Sequence, residues 1–367
     1  MKKKQKKVSG ILPGILLGII LGLFVSFLLE KTDSDPVMVF LLGMVAPIFS
    51  LILQSMIHEG GHLLFGLLSG YEFTSYRIFG WMLMKDAEGR LRLRRFTVAG
   101  TDGQCLLSPP DLKEGKIPVL LYNLGGSLMN LMTALAALMG CAFLPEGSFW
   151  RGCLLLFALT GFGLALLNGI PMRIGLIDND GRNALSLRRD PAAMYAFWLQ
   201  MKGNARLAAG ERLRDMPEEW FYMPEDEKMT CGLVAAQGVL VCNRLMDQHR
   251  FREAEELMEH MQQQPGLIDL HRRMLTCDQM YVEMISRNRR EVVDSMRTKQ
   301  QLALMKKMKN NPSVMRTEYA YALLCKGDRA QGEKIRKQFE QISKTYPYPA
   351  DIRSERELMD IAWEAAK

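Results

Sequence analysis

The chain has no pair of cysteines at C-x-x-C spacing. Its seven cysteines (Cys105, Cys141, Cys153, Cys231, Cys242, Cys277 and Cys325) follow no regular interval, three before residue 183 and four after it. That argues against a disulfide framework or a cysteine zinc site, and it fits a reducing compartment for the soluble part. Histidine is scarce as well, with five in 367 residues. Only His58 and His62 lie in the first half; His249, His260 and His271 sit in charged segments further on. If the pair binds a metal, the third protein ligand is therefore expected to be a carboxylate. Residues 183–367 lack any long apolar run, and no PDZ-like or CBS-like stretch is present. The formal net charge is +7. The basic residues are gathered in loops, a pattern of membrane topology, and no nucleic-acid partner is expected.

What the first half does have is apolar runs. Lys2, Lys3, Lys4, Lys6 and Lys7 precede a run from Ile11 to Leu29, 19 residues with no A-x-A-like site after it, which reads as a retained first transmembrane helix. Further spans are expected at about 37–69, 117–144 and 149–170. Between the second and third lies a polar stretch whose arms, within 73–98, flank Asp86-Ala87-Glu88-Gly89 and predict a β-hairpin. The N-terminus and the 71–116 loop are rich in Lys and Arg, whereas 30–36 has only Lys31 and 145–151 only Arg151. By the positive-inside rule the N-terminus, the hairpin and the C-terminal part are cytoplasmic. The expected organisation is thus an α-helical multi-pass membrane protein of about four transmembrane helices with a small cytoplasmic β-hairpin: residues 1–36 as basic segment and first span, 37–182 as membrane core, and 183–367 as a cytoplasmic helical domain. Within that domain, Val239–Met261 and Tyr319–Lys344 read as helix–turn–helix segments similar to degenerate tetratricopeptide hairpins, without a clean 34-residue period.

Polar groups inside apolar runs are costly and mark functional candidates. Ile57-His58-Glu59-Gly60-Gly61-His62 reads H-E-x-x-H at the end of the second run. On a helix, positions i and i+4 share a face, so His58 and His62 can address one metal ion with Glu59 beside them to handle a water proton. About 21 residues from Val37 at 1.5 Å each span roughly 30 Å, which places the motif at the cytoplasmic membrane boundary. Further polar clusters are Asn123 to Asn130, Asn168-Gly169-Ile170-Pro171 and Asp178-Asn179-Asp180-Gly181.

Together these resemble the site-2 protease family of intramembrane zinc metalloproteases. The counterparts are His58-Glu59-Gly60-Gly61-His62, then Gly126-Ser127-Leu128-Met129-Asn130 for the family's G-P-x-x-N-like motif, then Asn168-Gly169-Ile170-Pro171 with Asp180-Gly181 for N-x-x-P and D-G. The resemblance covers about residues 40–185. Ser127 replaces the usual Pro, and the gap from Pro171 to Asp180 is longer than the family's. The resemblance implies zinc held by His58, His62 and Asp180, with an open position for water. It makes Glu59 the catalytic proton carrier, and it gives Asn130, with Gly126 and Asn168, a part in orienting the substrate backbone. Asp178 is the alternative third ligand; Asp180 is preferred because Gly follows it, and the two, at i and i+2, cannot face one metal from a helix. The hairpin resembles the family's membrane-associated β-loop, which would hold an extended segment by strand addition. The implied activity is hydrolysis of peptide bonds in a membrane-embedded or membrane-tethered protein or peptide near the cytoplasmic face. The lipid bilayer, and a protein partner for the helical domain, complete the expected contacts.

Two other readings are open to the sequence. Prenyl-protein (CaaX) zinc proteases use H-E-x-x-H with a later E-x-x-x-D helix motif, and Glu211-Arg212-Leu213-Arg214-Asp215 has that spacing. A non-catalytic membrane adaptor acting through residues 183–367 is the alternative from a different class.

Overall fold

The computed structural model describes residues 12–30, 35–85, 89–96, 103–174 and 177–367. The five N-terminal lysines, Lys31, the Asp86–Glu88 centre of the expected hairpin and its end at Thr97 and Val98 lie outside these residues. The chain divides into two compact units: Met1–Ile78 with Gly103–Pro191, and Phe79–Asp102 with Ala192–Lys367.

The first unit is built on four helices. Helix α1 is Leu12–Glu30. Helix α2 runs through Pro36–Phe40, a π-helical turn at Leu41–Val45, and Ala46–Leu68. The π turn falls just before Pro47, whose missing N–H would leave a carbonyl one turn back unbonded in a regular helix. Helix α3 is Val119–Cys141 and α4 is Phe149–Gly169. Among the described residues, three segments are long and apolar enough to cross a membrane: Leu41–Leu68, Val119–Cys141 and Phe149–Gly169. In α1 the apolar stretch Gly18–Phe27 is shorter, and its Phe24 and Val25 pack on buried Leu42 and Leu156.

These helices are apolar outside and polar inside. Within Ala46–Leu68 the buried residues of α2 are Ser50, Gln54, His58, Gly61, His62 and Gly66, while Leu51, Ile52, Met56, Leu64, Leu67 and Leu68 are exposed. In α3, Asn123, Ser127 and Asn130 are buried while Leu121, Met132, Leu135 and Met139 are exposed. This polarity is the reverse of a water-soluble bundle and suits helices whose solvent is lipid, where polar groups turn toward each other. Small residues let the backbones meet: a Cβ added at Gly61 would lie 2.3 Å from the Gly125 carbonyl oxygen.

The hairpin expected at 73–98 is different in detail. Its first arm breaks at Phe79 and Gly80, both in the left-handed region (φ 44° and 81°), leaving strand β1 at Glu72–Ile78 and β2 at Trp81–Lys85. Strand β2 pairs antiparallel with β3, Leu91–Arg95, from Trp81↔Arg95 to Lys85↔Leu91, and this is the hairpin proper. Strand β1 pairs antiparallel with an unforeseen β4, Gly103–Ser108. After α4 comes a two-residue ladder, β5 (Arg173–Ile174) with β6 (Ile177–Asp178), and then the short helix α5, Asp180–Ser186.

The second unit is helical: α6 (Pro191–Ala208), α7 (Gly232–Asp247), α8 (Phe251–Gln262), α9 (Asp269–Ser286), α10 (Arg290–Met296), α11 (Lys299–Lys307), α12 (Pro312–Ala320, continued by a π turn at Tyr321–Cys325), α13 (Arg329–Ser343) and α14 (Pro349–Ala365). The segment Val239–Met261, read as helix–turn–helix, breaks at Gln248–Arg250, where His249 is left-handed (φ 59°). The β2–β3 hairpin belongs to this unit: Met82 and Met84 cluster with Ala208, Phe96 and Tyr348, and Arg94 donates to the Tyr346 carbonyl at 2.8 Å.

Candidate metal and catalytic site

The H-E-x-x-H stretch lies within α2, so His58 and His62 sit one turn apart on its buried face. Their rings are held from behind. His58 Nδ1 is 2.7 Å from Asn130 Oδ1 on α3, and His62 Nδ1 is 2.8 Å from the Tyr122 carbonyl oxygen. The Asn130 amide nitrogen is spent on Gln54, donating to its carbonyl oxygen at 2.8 Å and to Oε1 at 2.7 Å. Both ring partners are thus acceptors, both Nδ1 atoms carry the proton, and both Nε2 lone pairs face forward.

What they face is each other and Asp180. His58 Nε2 and His62 Nε2 are 3.2 Å apart, and Asp180 Oδ2 lies 3.1 Å from the first and 3.3 Å from the second. Two imidazole lone pairs and a carboxylate oxygen at such spacing repel unless a cation stands among them. Zinc bonds to nitrogen and oxygen at about 2.0–2.1 Å put tetrahedral ligands roughly 3.3 Å apart. The triangle has that size, and its donors, two neutral imidazoles and one carboxylate, are those of open zinc sites.

Asp180 reaches the pair because of the residue before it. Asn179 caps α5 by accepting from Arg182 N at 3.1 Å, and its amide donates to the carbonyls of Leu167 (2.8 Å) and Ile170 (2.7 Å) at the end of α4. It also accepts from Met172 N at 2.9 Å. One side chain ties the end of α4 to the start of α5, and the intervening residues fold away as the β5–β6 ladder. The Asp-Gly pair has a steric basis: a Cβ at Gly181 would lie 2.1 Å from the Gly169 carbonyl oxygen. Asp178, the alternative ligand, is engaged elsewhere, by Arg173 at 2.5 and 3.0 Å and by Arg182 at 3.1 Å.

Glu59 points to a different neighbour. A Cβ added at Gly103, the first residue of β4, would lie 2.9 Å from Glu59 Oε1. Further along, Leu107 of β4 fills the space left by Gly66, and the Tyr122 hydroxyl donates to the Cys105 carbonyl at 3.2 Å. Strand β4 therefore lies alongside α2 from Glu59 to Gly66. Burial and the nearby Glu59 push the Cys105 thiol up to about 12, so it offers no thiolate near neutrality.

The three residues expected to orient substrate have other contacts. Asn130 is occupied at both ends as described. Gly126 makes room for a ligand, since a Cβ there would lie 2.5 Å from His58 Cε1. The Asn168 amide donates to Leu164 O in its own helix at 3.1 Å. Of the residues that reasoning from sequence missed, Gln54 had a signal: it is four residues before His58 on the same face of an apolar run. Asn179 and strand β4 had none. Glu211, the first residue of the E-x-x-x-D spacing, lies outside any helix and accepts from Arg206 at 2.7 and 3.0 Å, and Leu213–Asp215 is a single 3-10 turn.

Comparison with protein-family models, with curated proteins and with solved structures gives no match in any of the three.

Proposed function

We propose that this chain is a zinc metalloendopeptidase of the site-2-protease kind, acting within or at the surface of a membrane on a membrane-embedded or membrane-tethered protein or peptide. The observation that carries the reading is the triangle of His58 Nε2, His62 Nε2 and Asp180 Oδ2, with Glu59 in the next position of the same helix and an apolar exterior around it. Bound zinc would supply Lewis acidity toward a water and a peptide carbonyl. The chain's own residues do the rest. Asn130 and the Tyr122 carbonyl hold the two imidazoles in the tautomer that binds metal. Glu59 accepts a proton from the attacking water and returns it to the leaving amine.

Strand β4 supports the reading from the substrate side. Among the described residues it pairs only with β1, and its Gly103 end stands against Glu59. Peptide bonds of a helix are already hydrogen-bonded, so cleavage needs locally extended chain, and strand addition at the end of a sheet provides it. In this proposal β4 takes the part expected of the hairpin. The basic loops set the topology: α1 is a fourth span, with the N-terminus and the C-terminal domain in the cytoplasm, where that domain meets a protein partner.

The test is to compare the membrane proteome and released peptides of cells carrying the wild type with those carrying Glu59→Gln, and to assay zinc in both purified proteins. Zinc in both, with substrates accumulating only in the variant, is the expected result. Identical proteomes and peptides, with zinc present in both, overturn the peptidase reading and favour an adaptor; absence of zinc from both overturns the metal site.

A further inference from the structure

The helical unit contains a cavity of about 370 Å³, within the size range of small-molecule sites. Its wall carries six carboxylate and guanidinium side chains that the proposed chemistry does not use: Arg212, Asp247, Asp278, Arg316, Asp351 and Glu355. The two arginines are committed. Arg212, only 4% exposed, donates to Asp247 from Nε at 3.0 Å and to Glu357 from Nη1 at 2.5 Å. Arg316, 1% exposed, is bonded to Asp278 through Nη2. Asp247 is saturated, since its second oxygen accepts from Arg214 N at 3.0 Å.

Two carboxylates are left over. Asp351 has no hydrogen-bond or ion-pair partner among the described residues, and the charge that acts on it is another carboxylate, Asp247. Glu355 has one cation near it, but Arg316 Nε is 3.4 Å from its Oε2, and both atoms are buried without a hydrogen bond. His271, also on the wall, has a buried Nδ1 without a partner. Burial lowers its pKa, so it adds no compensating charge. Four carboxylates therefore face two guanidiniums around a partly open cavity, with Asp351 and Glu355 half-buried in its wall. Uncompensated buried charge costs several kcal/mol per ion in a protein interior, and burial pushes both Asp351 and Glu355 up to about 7. An empty cavity meets that cost by taking up protons; a cation of the right size replaces them.

We infer that this cavity is a binding site for an alkylammonium group, with Asp351 and Glu355 as its counter-ions. The neutral polar side chains around them, among them Asn204, Asn243 and Ser354, supply acceptors for the remaining N–H groups. The ammonium comes from a free diamine or from a lysyl side chain of a polypeptide. The site shares Tyr346 with the β2–β3 hairpin: the ring lines the cavity, and the carbonyl takes the Arg94 guanidinium. An occupant would thus lie against the residue that holds the hairpin to its domain.

Calorimetric titration of the purified full-length chain in detergent tests this with three probes: putrescine, N-acetyl-lysinamide and the uncharged isostere 1,4-butanediol. At least one of the two cations binds and the diol does not. Preference for putrescine assigns the site to a free amine, and preference for the lysine derivative to a polypeptide. Asp351→Asn and Glu355→Gln each weaken binding by about tenfold or more, Asp351→Glu stays within a few-fold of wild type, and Glu253→Gln, an exposed control, leaves it unchanged. No binding of either cation at about 10 mM, equal binding of the diol, or undiminished binding in both charge-neutral variants overturns the inference. Melting curves of the variants separate loss of a site from loss of the fold. None of these readouts depends on zinc or peptide hydrolysis.

Discussion

Asn130 Oδ1 stands 2.7 Å from His58 Nδ1, across the crossing of two apolar helices. Because the same amide donates to Gln54 at 2.8 and 2.7 Å, it cannot flip without losing both bonds, and the proton of His58 stays on Nδ1. Removing that acceptor frees the ring to turn and to change tautomer. Asn130→Ala is expected to weaken zinc binding by about 10- to 100-fold, the usual cost of losing an outer-shell partner. Gln54→Ala, one bond further out, should do the same to a smaller degree. A chelator-competition assay on the purified proteins measures both, and unchanged zinc affinity in Asn130→Ala would refute the positioning role.

Glu59 separates catalysis from metal binding. It lies next to His58 in sequence, its carboxylate stands against Gly103, and it is near enough to His58, His62 and Asp180 to interact with their charges without belonging to the triangle. Glu59→Gln should therefore keep its zinc and lose hydrolysis by about 10²- to 10⁴-fold, the contribution of a placed general base. Metal content and cleavage of a membrane-tethered reporter, measured on one preparation, check the two halves. Loss of zinc in this variant would place Glu59 among the ligands.

The parts of the site legible in the sequence are those set by local periodicity. The i, i+4 spacing of His58 and His62 defines a helix face, and polar residues in apolar runs point inward in lipid, so Asn130 and Gly126 could be placed near the pair. The parts that were not legible depend on contacts between distant segments. Strand β4 has no strong alternation and forms because β1 offers it an edge, while the break at Phe79-Gly80 sits inside the first arm, which has no regular alternation to locate it. The reach of Asp180 depends on Asn179 bonding to α4, which no spacing rule reveals. The charged cavity is assembled from five helices and a turn, each with ordinary surface-like charge patterning in one dimension.

Asp178 and Asp180 should part company under substitution. Asp180→Asn removes an anionic corner of the triangle, and zinc is expected to be lost or strongly weakened. Asp178→Asn breaks contacts to Arg173 and Arg182, both partly exposed, and should keep zinc while lowering stability by no more than about 1 kcal/mol. Zinc analysis after gel filtration decides it; the reverse pattern would make Asp178 the ligand.

Gly60 and Gly61, adjacent in the motif, differ in what surrounds them. A Cβ at Gly60 meets nothing within 4 Å, whereas at Gly61 it would lie 2.3 Å from the Gly125 carbonyl oxygen. Gly60→Ala should be neutral or stabilising by up to about 1 kcal/mol, as for an open helical position. Gly61→Ala should push α2 and α3 apart, cost about 1–3 kcal/mol and reduce zinc affinity with it. Thermal unfolding in detergent distinguishes the two, and equal melting temperatures would mean the helix crossing is looser than the backbones indicate.

The helical unit carries its own pH signature. Burial, with Asp247 alongside, raises Asp351 from the ordinary 3.8 to about 7. Burial also raises Glu355 from 4.5 to about 7, against the pull of Arg316. A carboxyl with a raised pKa binds more protons folded than unfolded, so its contribution to stability is full below about pH 4 and is lost as pH rises through about 7. Between pH 5 and 8 the wild type should lose stability relative to the Asp351→Asn/Glu355→Gln double variant, by an amount on the order of 5 kcal/mol. Below about pH 4 the two curves should run parallel. Scanning calorimetry across that range, without added amine, is the measurement. A constant difference from pH 5 to 8 would show that neither carboxyl is strained by its surroundings. Adding a bound alkylammonium should restore wild-type stability near pH 8 and leave the double variant unmoved, because only the ionised carboxylates have a charge for it to neutralise.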